Sequence, residues 1–281
     1  MKKSSNWWFL IFVMPTFLAF AIAFFIPFLT GFILSFTEFR TVTDAQFVGI
    51  TNYIRIFKES EDFLNAFFFT FKFSVFSVIS VNFFAFVLAL ILTREIKGTK
   101  FFRTVFFMPN LIGGIVLGYI WQVILNGILY NFSLSLTSKP IFGFLGLLIL
   151  MNWQMIGYTM IIYIAGLSNI SNDILEAAKV DGADSFTVLR KITIPSIMPS
   201  INICLFITVT NSFKLFDQNL ALTAGAPSNK TQMLALDIYN TFYSRIGFEG
   251  VGQAKAVIFF LIVALIAFIQ LKFTRGREVE N

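Results

Sequence analysis

Long apolar segments dominate this sequence and place most of it in a membrane. Six of them can be read, at approximately residues 7–36, 66–92, 101–125, 141–167, 197–216 and 256–273. A helix that crosses the hydrocarbon core needs about 20 mainly apolar residues. Because 57% of the 281 residues are hydrophobic and only 13% are charged, no room remains for a sizeable soluble domain. The sequence predicts an all-α polytopic membrane protein, with residues 1–281 forming a single transmembrane domain of six helices.

Composition excludes several classes of function. The chain has no histidine and one cysteine, Cys204, so histidine-based catalysis, histidine metal ligation and a disulfide within the chain are excluded. It also lacks the G-x-x-x-x-G-K-[ST] phosphate loop, so this chain is not expected to be an ATPase. The net charge of +6 does not indicate nucleic-acid binding, because the basic residues lie in short clusters between apolar segments. No cofactor or metal is expected in this chain.

The lysines and arginines predict the orientation, since they are biased towards cytoplasmic loops. With the N-terminus inside, twelve fall in cytoplasmic segments: Lys2, Lys3, Arg94, Lys97, Lys100, Arg103, Lys179, Arg190, Lys191, Lys272, Arg275 and Arg277. Seven fall outside: Arg40, Arg55, Lys58, Lys139, Lys230, Arg245 and Lys255. We therefore expect both termini in the cytoplasm. The first segment is expected to stay as an anchor, because its apolar stretch is too long for a signal peptide.

The loop at residues 168–196, after the fourth apolar segment, has the pattern of two short helices. Asp173 is expected to cap the first helix, with Glu176 at the third position as in a capping box. Gly182 is expected to end this helix in a left-handed conformation. The loop is therefore more strongly patterned than a simple connection.

The second short helix is expected to begin at Asp184 or Ser185 and to stop at Pro195. Its apolar residues fall along one side and are Phe186, Leu189 and Ile192. A bent helix pair that is apolar on one side and charged on the other fits a groove in a partner protein. It fits equally well on lipid headgroups, and the pattern alone favours neither.

The residue types in this loop resemble a known motif. The matching positions are Glu176-Ala177-Ala178, Asp181-Gly182-Ala183, Ile192, Pro195 and Pro199. They are similar to the EAA loop of ABC importer permeases, which docks into a cleft of a cytoplasmic ATPase dimer. The resemblance implies that Glu176 pairs with a basic residue of the ATPase, that Gly182 permits the bend, and that Ala177 and Ala178 let the helix seat closely. A solvated capping carboxylate remains the alternative role for Glu176.

The resemblance covers nearly the whole chain and narrows to the carbohydrate-type permeases, which include maltose, multiple-sugar and glycerol-phosphate importers. In the first outer loop the matching residues are Ser35-Phe36-Thr37, Phe47-Val48-Gly49 and Asn52-Tyr53. After the fifth segment they are Phe216-Asp217, Thr223-Ala224-Gly225-Ala226-Pro227, Thr231 and Ile238-Tyr239. Ala226 departs from the family's second glycine, but Gly225 and Pro227 still supply the turn chemistry. The resemblance implies the maltose-permease-like (type I ABC importer) fold.

Polar residues at membrane depth are costly unless they face a cavity or another helix. The resemblance places sugar contacts on the fourth and fifth segments, at Trp153 and Tyr158 and near Asn211, Ser212 and Leu215. Aromatic rings can stack on the C–H faces of a sugar, and amide or hydroxyl groups can bond its hydroxyls. Interface anchoring and helix packing are the alternative roles for these residue types. Lys214 and Asp217 are expected to form an ion pair if the helix continues through them.

The resemblance implies that this chain is the permease subunit of a binding-protein-dependent ABC importer for a sugar or oligosaccharide, in the bacterial cell membrane. The expected partners are a second, homologous permease subunit, a cytoplasmic ATPase dimer that holds ATP and Mg²⁺, an external solute-binding protein, and membrane lipid. Two alternatives remain. One is an importer for a non-sugar solute such as glycerol phosphate. The other is an ion-coupled secondary transporter, which usually needs intramembrane carboxylates, and the apolar segments hold none.

Overall fold

A computed structural model of the protein describes residues 3–58, 61–94 and 97–275, and this part of the chain is almost entirely helical. Lys2 and Arg277, which contributed to the predicted orientation, lie outside the described residues. The first half contains α1 (Lys3–Phe20), α2 (Ile26–Leu34), β1 (Thr37–Glu38), β2 (Gln46–Phe47), α3 (Thr51–Lys58), α4 (Glu61–Leu92), α5 (Thr99–Phe107) and α6 (Gly114–Tyr130). The second half contains α7 (Pro140–Ser168), α8 (Asn172–Val180), α9 (Ser185–Val188), α10 (Ile194–Ser196), α11 (Met198–Phe213), α12 (Asp217–Leu222), α13 (Leu234–Ser244) and α14 (Glu249–Arg275).

Four helical segments of the described chain are long and apolar enough to cross a membrane: Ile11–Leu34, Asp62–Leu92, Pro140–Ser168 and Glu249–Lys272. Two further helix pairs meet the same criterion but are bent, by 102° between Thr99–Leu111 and Gly114–Tyr130 and by 70° between Ser185–Ser196 and Met198–Phe213. The described chain therefore has four to six candidate spans. The predicted third span, 101–125, is not one helix, because Ile112 and Gly113 leave the helical conformation between α5 and α6.

Two π-helical segments share a local cause in proline. Residues Ala21–Phe25 and Leu189–Thr193 are each followed by Ile-Pro, at Pro27 and Pro195. Proline has no N–H, and its ring crowds the carbonyl four residues earlier. In both segments the isoleucine before the proline instead donates to the carbonyl five residues back, from Ile26 to Ala21 and from Ile194 to Leu189. The wider π-helical turn lets each helix continue past its proline.

The chain divides into two compact units, and the smaller comprises residues 1–61 and 238–260. In this unit the short strands pair antiparallel, with Thr37 opposite Phe47. Buried Asn52 donates to the carbonyls of Ser35 and Thr37 at 3.0 and 2.8 Å, and the Ser35 and Tyr53 hydroxyls lie 2.7 Å apart. These bonds explain the polar residue types in this predicted outer loop by their role in holding the loop together.

The larger unit comprises residues 62–237 and 261–281. Half-buried Asn82 of α4 and the buried side chains of Tyr163 on α7 and Thr208 on α11 form a hydrogen-bonded chain there. Tyr163 donates to Asn82 Oδ1 at 2.8 Å, and Asn82 Nδ2 donates to Thr208 Oγ1 at 2.9 Å. Such bonds between helices stabilise packing where lipid offers no alternative partners.

Glycines allow three other helices of this unit to pack closely. Gly114 and Gly118 lie four residues apart on α6, and a Cβ at Gly118 would come within 2.6 Å of Ala221 Cβ on α12. On α7, Gly157 touches the backbone of Phe106 in α5, and a Cβ at this position would overlap the Phe106 carbonyl. This small-residue packing fixes where the broken span meets α7 and α12.

Candidate functional site

A half-open polar cavity of about 200 Å³ lies beside the break between α5 and α6. Its lining residues come from the break, α7, α11 and α12, and are Asn110, Met151, Gln154, Met155, Asn211, Lys214, Leu215 and Gln218. Four of these eight side chains are carboxamides, and none is acidic. Irregular backbone at membrane depth is tolerated where it lines a cavity or is buried in protein, so the break and the cavity belong together.

The carboxamides are held by one another and by the break itself. Gln218 donates to Gln154 Oε1 at 2.8 Å, and Gln154 Nε2 donates to the Ile112 carbonyl at 3.4 Å. The amides of Asn110 and Asn211 both approach the Met155 sulfur, at 3.8 and 3.9 Å. Thioether sulfur is only a weak acceptor, so these two amides keep most of their hydrogen-bonding capacity for a solute.

The five residues predicted at or near the substrate path lie in different environments. Asn211 is exposed and lines the cavity. Trp153 is 43% exposed and packs its ring edge-on against Trp121, while Tyr158 is half-buried beside Phe107. Ser212 is fully buried and donates to the Val209 carbonyl. Of these residues, Asn211 and Leu215 line this cavity, and the roles of all five in transport stay predictions.

The cavity contains residues that the sequence did not single out as site residues. Asn110 and Gln218 lie outside the segments from which the path was predicted, Gln154 was not among the predicted path residues, and Lys214 was predicted only as an ion-pair partner. The Pro109-Asn110 pair followed by Gly113-Gly114 is the sequence signal for a helix break in an apolar segment. This signal could have pointed to Asn110, but it does not indicate which residues of other helices face it.

The predicted Lys214–Asp217 ion pair is wrong, because the helix does not continue. α11 ends at Phe213 and α12 begins at Asp217. Asp217 instead packs against α6, where a Cβ at Gly114 would come within 2.7 Å of Asp217 Cβ. Lys214 stays exposed at the cavity, where it provides a positive charge.

The predicted coupling loop, residues 168–196, contains two short helices, with corrections at both ends. Ser171, not Asp173, caps α8, and its hydroxyl accepts from the Asp173 N–H at 3.3 Å. Gly182 has φ +78° and is left-handed, as the sequence predicts. The second helix begins after Asp184 as predicted, but it does not stop at Pro195, since α10 continues to Ser196 before the 70° bend.

Electrostatics support the start of the second helix. Asp184 Oδ1 accepts from the Thr187 N–H at 3.2 Å. Hydrogen bonds from the Thr187 side chain and backbone hold the pKa of this exposed carboxyl below its usual range. The carboxylate cap is therefore fully present at neutral pH and is lost as the pH falls through the lowered pKa.

The coupling loop presents both charge and apolar surface. Glu176 and Ala177 are exposed, and Ala178 and Ala183 are half-buried. Three apolar side chains of the loop are also exposed: Ile174 at 51%, Val180 at 87% and Phe186 at 67%. Large exposed apolar groups beside charges are typical of a protein or membrane contact.

The segment between α12 and α13 is organised by one buried amide. Asn219 Nδ2 donates to the Thr231 carbonyl at 2.8 Å and to Thr223 Oγ1 at 3.1 Å, and Asn219 Oδ1 accepts from the Met233 N–H at 2.9 Å. Gly225 has φ +85°, which a residue with a Cβ rarely adopts. The threonines and the glycine of this segment, which match the pattern of the carbohydrate-type permeases, therefore form a local structural unit.

These features define a multi-pass membrane protein with a polar cavity at a broken helix and an exposed two-helix loop. A family model for the binding-protein-dependent transport system inner membrane component matches residues 82–278. The chain belongs to this family.

Two relatives match over almost their full lengths. The probable starch degradation products transport system permease protein AmyD of Thermoanaerobacterium thermosulfurigenes is 44% identical, over 97% of this chain and 96% of that protein. The multiple sugar-binding transport system permease protein MsmF of Streptococcus mutans is 28% identical over 99% of both chains. These relatives are permease proteins rather than ATPases.

Solved structures support the fold. A chain from the crystal structure of a bacterial ABC transporter that imports the acidic polysaccharide alginate has a TM-score of 0.78 and 20% identity, with coverage of 97% of this chain and 96% of that chain. A second structure of a bacterial alginate ABC transporter, in complex with a periplasmic protein bound to an alginate pentasaccharide, gives a TM-score of 0.75, with 20% identity over 96% of this chain and 93% of that chain. The chain therefore has the fold of an ABC importer membrane subunit.

Proposed function

We propose that this chain forms half of the translocation path for a sugar or oligosaccharide in an ABC importer of the bacterial cell membrane. The observation that carries the proposal is the carboxamide-lined cavity beside the break between α5 and α6. Each carboxamide offers two donors and an acceptor, which matches hydroxyl groups that both donate and accept. The sugar-transport names of the relatives support the same substrate class.

We count α5 and α6 as one span and α11 as the membrane part of the second bent pair, with α9 and α10 left in the coupling loop, which gives six spans with both termini in the cytoplasm. The positive charges of the connecting loops support this orientation. The partners are a second, homologous permease subunit, an external solute-binding protein and an ATPase dimer. ATP and Mg²⁺ bind to that ATPase, since this chain has no phosphate loop.

The coupling loop is the proposed ATPase contact. Exposed Glu176 supplies a charge for pairing, and exposed Ile174, Val180 and Phe186 supply apolar area. ATP binding would close the ATPase dimer and carry the loops of the two permease subunits together. The rigid-body movement would open the path outward. A cavity of about 200 Å³ is smaller than the roughly 300–1,000 Å³ of most ligand pockets, so an oligosaccharide requires such an opening.

A second candidate substrate is an anionic solute such as glycerol phosphate. Lys214 lines the cavity and is exposed, so it could attract a phosphate or carboxylate. The sn-glycerol-3-phosphate transport system permease protein UgpA of Agrobacterium fabrum is 28% identical over 83% of this chain. Ion-coupled transport is less well supported, since no carboxylate is among the cavity's lining residues.

Uptake into proteoliposomes tests the proposed function. The chain is reconstituted with its partner permease, ATPase and binding protein, and uptake of radiolabelled maltodextrin and glycerol 3-phosphate is compared. We expect sugar uptake that needs ATP and every added component. Uptake by this chain without its partners, under a proton or sodium gradient, would contradict the proposal. ATP-driven uptake of glycerol 3-phosphate with no uptake of maltodextrin would show that the substrate is an anionic solute and not a sugar.

The Asn211→Leu variant is expected to weaken sugar uptake. Loss of a substrate hydrogen bond in a cavity costs about 1–3 kcal/mol, so kcat/KM should fall about tenfold in the reconstituted importer. Because Asn211 is exposed, the thermal stability should change little. Thr210→Val on the same helix, which does not line the cavity, is the matched control. Equal uptake by the two variants would remove Asn211 from the path.

A further inference from the structure

A second cavity, of about 640 Å³, lies where α4 ends and α5 begins. Its walls include the cations Arg94, Lys100 and Arg103, together with Phe101. Residues 94–103 contain four basic residues and one acidic residue, Glu95, which lies outside the described residues. The cavity is separate from the carboxamide cavity and shares none of its lining residues.

Within the described part of the chain, the cations of this cavity have no anionic partners. Neither Arg94 nor Lys100 forms an ion pair with a described residue. Arg103 donates through Nη2 to the Leu92 carbonyl at 2.7 Å, and its Nε is buried with no acceptor among the described residues. A guanidinium has five donors, so the Leu92 bond fixes its position while most of its bonding capacity stays unused.

The orientation of a membrane helix explains why basic residues occur near its end. Orientation alone does not require that the basic residues surround a common cavity, or that an arginine donate a hydrogen bond to the last carbonyl of α4. Apolar surface adjoins the charges, since Phe101 is 66% exposed and Phe102 is 45% exposed on α5. The site therefore offers cations for a head group and aromatic surface for a hydrocarbon chain.

We propose that this basic cavity binds an anionic phospholipid, with the phosphate at Arg94, Lys100 and Arg103 and an acyl chain against Phe101 and Phe102. A basic pocket between membrane helices is a suitable site for an anionic head group. A free phosphate would use the same cations but would gain nothing from the exposed phenylalanines, so the lipid is the better match. The proposal depends on membrane insertion and does not depend on which solute is transported.

Native mass spectrometry of the full chain in a neutral detergent tests the proposal, with dioleoylphosphatidylglycerol and dioleoylphosphatidylcholine as probes. Each cation beside an anionic lipid contributes about fivefold in affinity. We expect one phosphatidylglycerol to be retained in preference to phosphatidylcholine. The Arg94→Gln/Lys100→Gln/Arg103→Gln variant should weaken that retention at least about tenfold.

The matched control removes three exposed charges elsewhere, in Lys58→Gln/Lys139→Gln/Lys230→Gln, and should retain the lipid. Arg103→Lys keeps the charge but loses the planar donors. If the site binds the phosphate through specific hydrogen bonds, this variant should retain the lipid more weakly. If Arg103→Lys retains the lipid as well as the unmodified protein does, or if the control variant loses it equally, the attraction is diffuse and the proposal is overturned. Displacement of the lipid by millimolar inorganic phosphate would overturn it in favour of a phosphate site. Circular dichroism verifies that each variant is folded.

Discussion

Reversing one charge, in Glu176→Lys, is expected to abolish ATP-driven uptake while leaving the chain inserted in the membrane. Glu176 is exposed in the middle of α8, so its replacement disturbs no packing within the subunit. If the carboxylate pairs with a basic residue of the ATPase, a lysine places two cations together at the contact. Such juxtaposition of like charges costs several kcal/mol. Uptake in proteoliposomes measures the loss of transport, and co-purification of the ATPase measures the loss of its binding.

Asp173→Lys provides the matched control, because it makes the same charge change one turn earlier on the same helix. Asp173 contributes only its backbone N–H to the cap at Ser171. This control should keep most of its uptake, apart from a helix-dipole cost of about 0.3–1 kcal/mol. Normal transport by Glu176→Lys would refute the docking role. Equal loss in both variants would indicate a general electrostatic effect in place of a specific pair.

The second large effect is expected at Gly157, where even a methyl group should destabilise the folded protein. A Cβ at this position overlaps the Phe106 carbonyl, which belongs to the backbone of α5 and cannot rotate away. Overpacking usually costs about 1–3 kcal/mol, and a clash with backbone should reach the upper part of that range. Gly157→Ala should therefore lower the midpoint of thermal unfolding in detergent by several degrees and expose the region around α5 to trypsin.

Gly127→Ala is the control for this prediction, because a Cβ at Gly127 would meet no atom within 4 Å. Alanine favours the helix by about 1 kcal/mol over glycine, so Gly127→Ala should leave the midpoint unchanged or raise it. Unfolding midpoints that are equal for the two variants would show that α5 does not pack closely on α7.

The local features of the coupling loop could be predicted because short-range sequence encodes them. Gly182 is left-handed and Asp184 caps the second helix as expected, since each conformation depends on neighbouring residues. The prediction was wrong where two local signals competed. Ser171 and Asp173 are both good capping residues, and only the Ser171 hydroxyl is placed to accept the N–H two residues later.

Pro195 shows a different limit of local reasoning. Proline normally ends or kinks a helix, which led to the predicted stop. The backbone instead widens into the π-helical segment Leu189–Thr193, and the bend falls at Ile197, between α10 and α11. Both outcomes accommodate the missing N–H of proline, so the proline alone could not predict where the chain would turn.

Apolar length, charge bias and motif spacing determined the class of this protein directly from its sequence, because a bilayer imposes its thickness and its hydrogen-bonding demands on every segment. Only the tertiary structure brought Asn110, Gln154, Asn211 and Gln218 to one cavity. These amides are up to 108 positions apart (218 − 110), and they meet because α5 and α6 separate at Ile112 and because Gly157 admits the backbone of α5. The periodicity of a single segment cannot predict that these amides lie together, because their proximity depends on the packing of several helices at once.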